Sequence, residues 1–502
     1  MTDEEGVEKQ GPVVRVVRWL DSRLGLSYPL LRPVPRFSIS PFYWLGALTV
    51  VAFTIQAVTG MILLIWYVPD PASAYQSTAF VFSSVTDGRF LETIHLYGAY
   101  SMILLAVMHM MRNYFVSSFK KPREAMWIVG MLMGFVTLGF GFTGYVLPWT
   151  QISVDATNVG INLLNPLPPS IVSFAKNLLG VTSGYSTELI RFEAIHIVLL
   201  PAALLLLLFG KMYMLEAHGI APPAGELTPR QQRLIPLFPN VTVYLLELSA
   251  LFTAALLVVS AAFPYTLPAQ FSLTPPLNTP PPQPDWYFLW MYQILKLDVF
   301  EGTVGLSLGL TVITLIFAAL FVLPFIDRGE ERRIAKRPLF ITLGAIFVAE
   351  LAVLIYWGSV TPGQTIPNYE AVLILGGTAL AVALIFAGIY KVMFSKLTGS
   401  LTPDAAVQSR SMTMKRAQLW TGSLFTLLLV GGSLAISGSI SAFATMVTSG
   451  ITNGELLALA GYLSGLGLVL FGTIYLLYRL DLATDSITSR VKVLEVGWPN
   501  DQ

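Results

Sequence analysis

Apolar residues in this chain fall in runs of 18 or more with few charges among them, each long enough to cross a hydrocarbon core of about 30 Å as a helix. Ten such runs are predicted, at 42–68, 92–113, 125–147, 192–214, 243–264, 302–326, 339–358, 371–394, 417–440 and 456–478. The expected fold class is an all-α integral membrane protein of about ten transmembrane helices. The polar segments between the runs set its orientation. Arg15, Arg18 and Arg36 precede the first run, Lys120, Lys121 and Arg123 follow the second, and Arg328, Arg332, Arg333, Lys336 and Arg337 follow the sixth. Basic residues gather on the loops facing the cytoplasm, so both termini are expected there. The alternate segments 148–191, rich in Pro and Asn, and 265–301, which contains Pro280-Pro-Pro-Gln-Pro-Asp-Trp-Tyr, are the longest on the other side; non-helical chain of this kind lines a cavity or packs on protein, the alternative being two external loops.

Composition agrees with the pattern. The 502 residues are 54% apolar and 12% charged, with a mean hydropathy of +0.67, outside the range of a soluble globular protein. A net charge of +1 gives no basic footprint for nucleic acid. The chain has no cysteine, which excludes disulfides, thiolate-held iron–sulfur clusters and thioether-attached haem in this polypeptide. Residues 1–36 lack the apolar core and cleavage site of a signal peptide, so the first span is the expected targeting signal. Val14 to Leu26, with arginines interleaved among apolar residues, fits an interfacial helix.

Three of the four histidines lie inside apolar runs: His95 and His109 in the second, His196 in the fourth. An imidazole there is costly without a partner. His95 and His109 are 14 residues apart, about 1400° of rotation, which puts them within roughly 40° of one face and about 21 Å apart along the axis. One helix can therefore offer a ligand to each of two haems at different depths. His196, near the same end of its span as His95, is the expected second ligand of the outer haem. The matching partner for His109 falls 14 or 15 residues beyond His196, where the chain has Gly210 and Lys211. Lys211 is the leading candidate, through a neutral amine; an open inner site, or ligation by His218 or Met214, are the alternatives. Gly46 and Gly60 in the first span, and Gly130 and Gly144 in the third, repeat the 14-residue spacing. Missing side chains at these four positions admit a flat macrocycle close to the backbone.

These residues resemble the cytochrome b family. His95 to His109, followed by Arg112 and Phe119-Lys-Lys-Pro-Arg-Glu, is similar to the second helix and following loop of cytochrome b6; Gly144-Tyr-Val-Leu-Pro-Trp resembles the end of the third, and Arg191-Phe with His196 the start of the fourth. Phe238-Pro-Asn and Pro284-Asp-Trp-Tyr resemble the part that is a separate subunit in b6f complexes. The resemblance covers roughly 15–395 as one fused chain. It divides the sequence into a cytoplasmic N-terminal segment (1–40), a di-haem four-helix domain (41–220), a C-terminal domain with the Pro-Asp-Trp-Tyr loop (221–395) and an extra region with two spans (396–502).

The resemblance implies quinol oxidation on the outer side, between the Gly144 to Trp149 turn and the Pro284 to Tyr287 loop. Asp285 stands where most members carry Glu and would accept a proton, with Tyr287 and Tyr145 as pocket walls or hydrogen-bonders. Arg112 would balance an inner haem propionate, whereas the arginine expected three residues before His95 is replaced by Glu92. A second, inner quinone site would draw on Glu216 and His218. The implied complex lies in a prokaryotic plasma membrane, is a homodimer, and includes a Rieske-type iron–sulfur protein. Electrons would pass from the outer to the inner haem, the two haems being b-type or A-type. A rival is a subunit of an archaeal terminal quinol-oxidase assembly with A-type haems and terminal oxidase subunits as partners. A non-redox anchor or transporter is the rival of another class. Glu350, isolated within the seventh span, has no assigned role.

Overall fold

The computed structural model describes residues 33–398, apart from 166, 181–184, 225–226, 228, 273–280 and 282, together with residues 19, 22 and 23. Among the described residues, eight helices are long and apolar enough to span a membrane: α1 (Leu45–Leu63), α3 (Gly88–Phe115), α4 (Glu124–Val146), α7 (Thr187–His218), α8 (Leu237–Ala262), α10 (Gly302–Ile326), α11 (Pro338–Val360) and α12 (Asn368–Lys391). They match the first eight predicted spans within a few residues. The last two predicted spans, and nearly all of the predicted interfacial helix, lie outside the described residues.

The bundle is inverted relative to a water-soluble one. Large apolar side chains such as Leu206 (72% exposed) and Phe209 (74%) stand on its outer surface, a surface that only lipid covers without penalty. The interior holds the close contacts. Helix α1 lies along α3, α4 packs on α3 and α7, and α8 closes the far side of α3. Leu45, Leu48, Ala52, Met102, Leu105, Leu204, Leu248 and Phe252 form the central apolar cluster. The second half joins through α10 against α4, and within it α11 packs on α12.

Four shorter helices shape one end. The segment 148–191 is largely helical, with α5 (Gln151–Asn162) and α6 (Pro169–Leu179). Thr150 caps α5, its hydroxyl accepting from the Ser153 amide at 3.2 Å. Helix α2 (Ala74–Ser84) precedes α3. Helix α9 (Trp286–Leu295) is too short to span and packs against α11.

The opposite end carries the basic loops. There Lys120 pairs with Asp327 at 2.8 Å and donates to the carbonyls of Gly329 and Glu331, while Arg337 contacts the same Asp327 and Ser117. These buried charges tie the α3–α4 loop to the α10–α11 loop. A two-stranded ribbon, β1 (Pro33–Pro35) with β2 (Leu234–Pro236), joins the approach to α1 to the approach to α8. Below, the end with the basic loops is termed inner.

Candidate functional site

The outer site is made by two equivalent halves. On α1, Thr59 and Gly60 face His95 of α3: the Thr59 hydroxyl lies 2.8 Å from His95 Nδ1, and a Cβ at Gly60 would stand 3.1 Å from His95 Cε1. On α4, Thr143 and Gly144 face His196 of α7 in the same way, at 2.9 Å and 2.8 Å. Each threonine gives its own proton to a carbonyl one turn back, Ile55 at 2.7 Å and Gly139 at 2.8 Å. The imidazole Nδ1–H must then be the donor, which fixes the tautomer and leaves Nε2 with a lone pair for a metal.

The inner site repeats the arrangement with one substitution. A Cβ at Gly46 on α1 would stand 3.0 Å from His109 Cε1, and one at Gly130 on α4 would stand 3.2 Å from Lys211 Nζ. Thus each of the four glycines predicted from spacing faces one of the four ligand candidates. No threonine precedes the two inner glycines; the neighbours are Leu45 and Val129. Asn113 instead lies 3.0 Å from His109 Nε2, and its carbonyl oxygen accepts from Arg112 at 2.9 Å and from Ser118 at 2.8 Å. His109 Nδ1 is buried with no hydrogen-bond partner among the described residues.

His196 to Lys211 is 15 residues, against 14 for the other three pairs. In a straight helix the extra residue would turn Lys211 by about 60° from His196. The chain takes a π-helical turn at Ile195–Leu199, with His196 inside it. Such a turn holds one residue more than an α-turn, so Lys211 returns to the face that a 14-residue spacing gives. Its cause is in the sequence: Pro201 cannot donate to Ile197 and its ring crowds that carbonyl, and local π geometry relieves both.

A cavity of about 840 Å³ runs from this inner site past α4 to the ring of Tyr287, with His109, Lys211, Gly46, Gly130 and Arg112 in its wall. Met214 and His218 are not in that wall. The residues fit haem: nitrogen ligands at two depths, glycines beside each, an orphaned imidazole nitrogen, and apolar walls. Arg112 stands at the inner end with its guanidinium 4.1 Å from the centroid of the Tyr43 ring.

The Pro284 to Tyr287 segment meets α3 and α4 at the other end. Asp285 is half-buried, and its two carboxylate oxygens accept one hydrogen bond each, from Tyr100 and from Tyr287, both at 3.0 Å. Burial pushes its carboxyl above the ordinary value, and the two phenol donors oppose that shift. Gly141 leaves room for the Tyr287 ring, whose atoms come within 2.9 Å of where a Cβ would stand. Tyr145 lies within electrostatic reach of both Asp285 and Tyr287. By contrast Glu216 and His218 sit exposed at the end of α7, the His218 carbonyl accepting from Arg123 at 2.8 Å. Glu350 lies between α11 and α12 with Oε2 buried and without a hydrogen-bond partner among the described residues.

Comparison with known proteins decides the family. The family model described as "Cytochrome b(N-terminal)/b6/petB" matches residues 100–270, and that described as "Cytochrome b(C-terminal)/b6/petD" matches 274–376. A cytochrome bc complex cytochrome b subunit from Chlorobaculum thiosulfatiphilum is 32% identical over 379 residues, 70% of this chain and 85% of the relative. The chain belongs to the cytochrome b family.

Other cytochrome b proteins extend the likeness. One from Sulfolobus acidocaldarius is 30% identical over 395 residues, covering 72% of this chain and 69% of its own length. A menaquinol:cytochrome c reductase cytochrome b subunit from Bacillus subtilis is 36% identical over 222 residues, 42% of this chain and 98% of the relative. A solved chain from "Hyperthermophilic respiratory Complex III" superposes with a TM-score of 0.60 at 26% identity, covering 75% of this chain and 99% of that one. The cytochrome b family binds haem b, and nothing in these relatives supports the A-type haem expectation. Within this cytochrome b, three functional features escaped sequence reasoning: Tyr100, the two threonines, and the π-turn. The threonines carried a readable signal, a Thr-Gly pair recurring at 59–60 and 143–144.

Proposed function

We propose that this cytochrome b is the membrane subunit of a quinol-oxidising, complex III-type assembly and holds two haems, one between His95 and His196 and one between His109 and Lys211. The observation that carries the reading is the fourfold match of glycine to ligand, in which Gly130 stands to Lys211 as Gly46, Gly60 and Gly144 stand to the three histidines. Lys211 also has no ion-pair partner among the described residues, as a lysine serving only as a counter-charge would. Bound haem supplies reversible one-electron iron chemistry at two depths in the membrane.

The residues supply the rest. Thr59 and Thr143 orient the outer imidazoles, Asn113 and Arg112 order the inner end, and Lys211 offers the lone pair of a neutral amine. Asp285 takes a proton from quinol as its electrons leave, and the second proton goes to water on the same side. Quinol gives up two electrons; one goes across the membrane and the other to a Rieske-type iron–sulfur partner, which the chain, lacking cysteine, cannot replace. Glu216 and His218 are proposed to serve protons to an inner quinone from the solvent side. The complex is proposed to be dimeric, in a prokaryotic plasma membrane, with both termini on the basic side.

Haem content and spectra of the purified protein test this. Wild type should carry two b-type haems; Lys211→Ala should lose or shift only the inner-haem bands, and Lys211→His should retain both haems with a bis-histidine spectrum. Unchanged inner bands in Lys211→Ala would remove Lys211 from the ligand set, and a wild-type protein without haem would overturn the whole reading.

A further inference from the structure

Asp285 opens α9 at the position where an aspartate ordinarily turns its side chain back to cap its own helix. Here it makes no such cap. The carboxylate turns instead toward α3, where Tyr100 meets one oxygen while Tyr287, two residues along its own helix, meets the other. Tyr100 is 4% exposed, and its ring packs at 6.2 Å on Tyr287 and 6.3 Å on Trp286. It lies on the helix that carries His95, five residues further on. An ionised carboxylate accepts from both phenols at full strength, whereas a protonated acid keeps only a weaker acceptor on its hydroxyl oxygen, so the pair of donors favours the ionised form.

We propose that Tyr100 is a positioning residue for quinol oxidation, holding the Asp285 carboxylate on α3 in the ionised state that can receive the quinol's proton. The inference rests on the reading of Asp285 as that acceptor. Aspartate is one methylene shorter than glutamate, and a donor reaching in from α3 compensates by fixing where the short carboxylate points. The other titratable groups facing this pair are Tyr97 on the same helix and Tyr265 after α8, both acting on Tyr100, and Tyr145 on α4 and Tyr287 on α9. Asp285 has no ion-pair partner among the described residues, so the phenols are its stabilising contacts. The step itself balances simply: a quinol O–H breaks, its proton forms the Asp285 acid, and the electrons of the quinol leave to its two acceptors.

Tyr100→Phe tests this in the purified full complex, because it keeps the ring and removes only the donor. The titration of Asp285 is followed by infrared spectroscopy of its protonated carboxyl band, assigned by the loss of that band in Asp285→Asn. Losing one charge-assisted hydrogen bond should move the midpoint up by about one pH unit. The ratio of Tyr100→Phe to wild-type quinol-oxidation rate should then fall toward acid pH, by up to about tenfold. Tyr97→Phe is the control, since the Tyr97 hydroxyl donates to the Phe263 carbonyl, and its midpoint should stay with wild type. An unmoved or lowered midpoint in Tyr100→Phe, or a rate ratio that does not vary with pH, overturns the inference while leaving the proposed function standing. Full activity in Asp285→Asn overturns the reading of Asp285 itself, and the inference with it.

Discussion

Replacing Thr143 by valine removes one hydroxyl from the wall of the outer site and nothing else of comparable shape. The His196 Nδ1–H, now 2.9 Å from an oxygen, would face a methyl group, and an unmet buried donor costs about 1–3 kcal/mol. The loss is not equal in the two redox states. A ring whose N–H is shared with an oxygen is the more basic ligand and favours ferric iron, so the variant should bias the site toward ferrous iron. A factor of ten in that bias corresponds to about 59 mV for one electron; half of that gives a rise of about 30 mV. Thr59→Val acts on the other ring at 2.8 Å, and because the two hydroxyls touch different imidazoles their effects should add, to about 60 mV. The assay is a potentiometric titration of the purified complex that follows the two haem bands separately. The inner band is the internal control, since Leu45 and Val129 stand where the inner site would need hydroxyls. The reasoning is refuted if the outer potential stays put or falls, or if both bands move together.

Gly130→Val should displace the Lys211 amine, which lies 3.2 Å from the new Cβ, and deplete or shift the inner haem in a stoichiometric assay; Gly134→Ala, with nothing within 4 Å, should change neither haem. Asp327→Asn should strand Lys120 and Arg337, both under 10% exposed, and lower the stability of the detergent-purified protein by about 3 kcal/mol, read as a fall in thermal unfolding temperature. Burial raises the Asp285 carboxyl above its ordinary value of 3.8. Between that value and the raised one, quinol oxidation should therefore increase with pH while the stability contributed by this group declines; Asp285→Asn should flatten both, as measured by rate and by unfolding across the same pH series.

The parts of this protein that were legible from sequence are those set by helical period and by the cost of polar groups in lipid. Eight spans follow from run length, and His95, His109 and His196 stand out because few side chains are as unwelcome in an apolar run. The glycine spacing anticipated the facing residues because two straight helices of equal pitch keep register over 14 residues. Lys211 was only half legible: counting by 100° leaves it off the face, and the correction comes from Pro201, whose effect on the turn before it is not a matter of periodicity. Helices α5 and α6 were missed since Pro and Asn in 148–191 read as loop, whereas Thr150 and Pro169 in fact start helices. Tyr100 left no trace, because a tyrosine in an apolar span is ordinary and its partner lies 185 residues away.

The β1–β2 ribbon has a consequence for how the polypeptide could be divided. Pro33–Pro35 is paired with Leu234–Pro236, and the Arg36 amide donates to the Arg233 carbonyl at 2.9 Å. Arg332, from the far half, reaches the carbonyls of Val116 and Pro222. The two halves are thus stitched together at both ends of the connection between α7 and α8, by contacts at Pro222 and at 233–236 that do not depend on the peptide bonds between them. A chain nicked between Pro222 and Arg233 is therefore expected to keep its halves associated, at the cost of the effective concentration a tether provides.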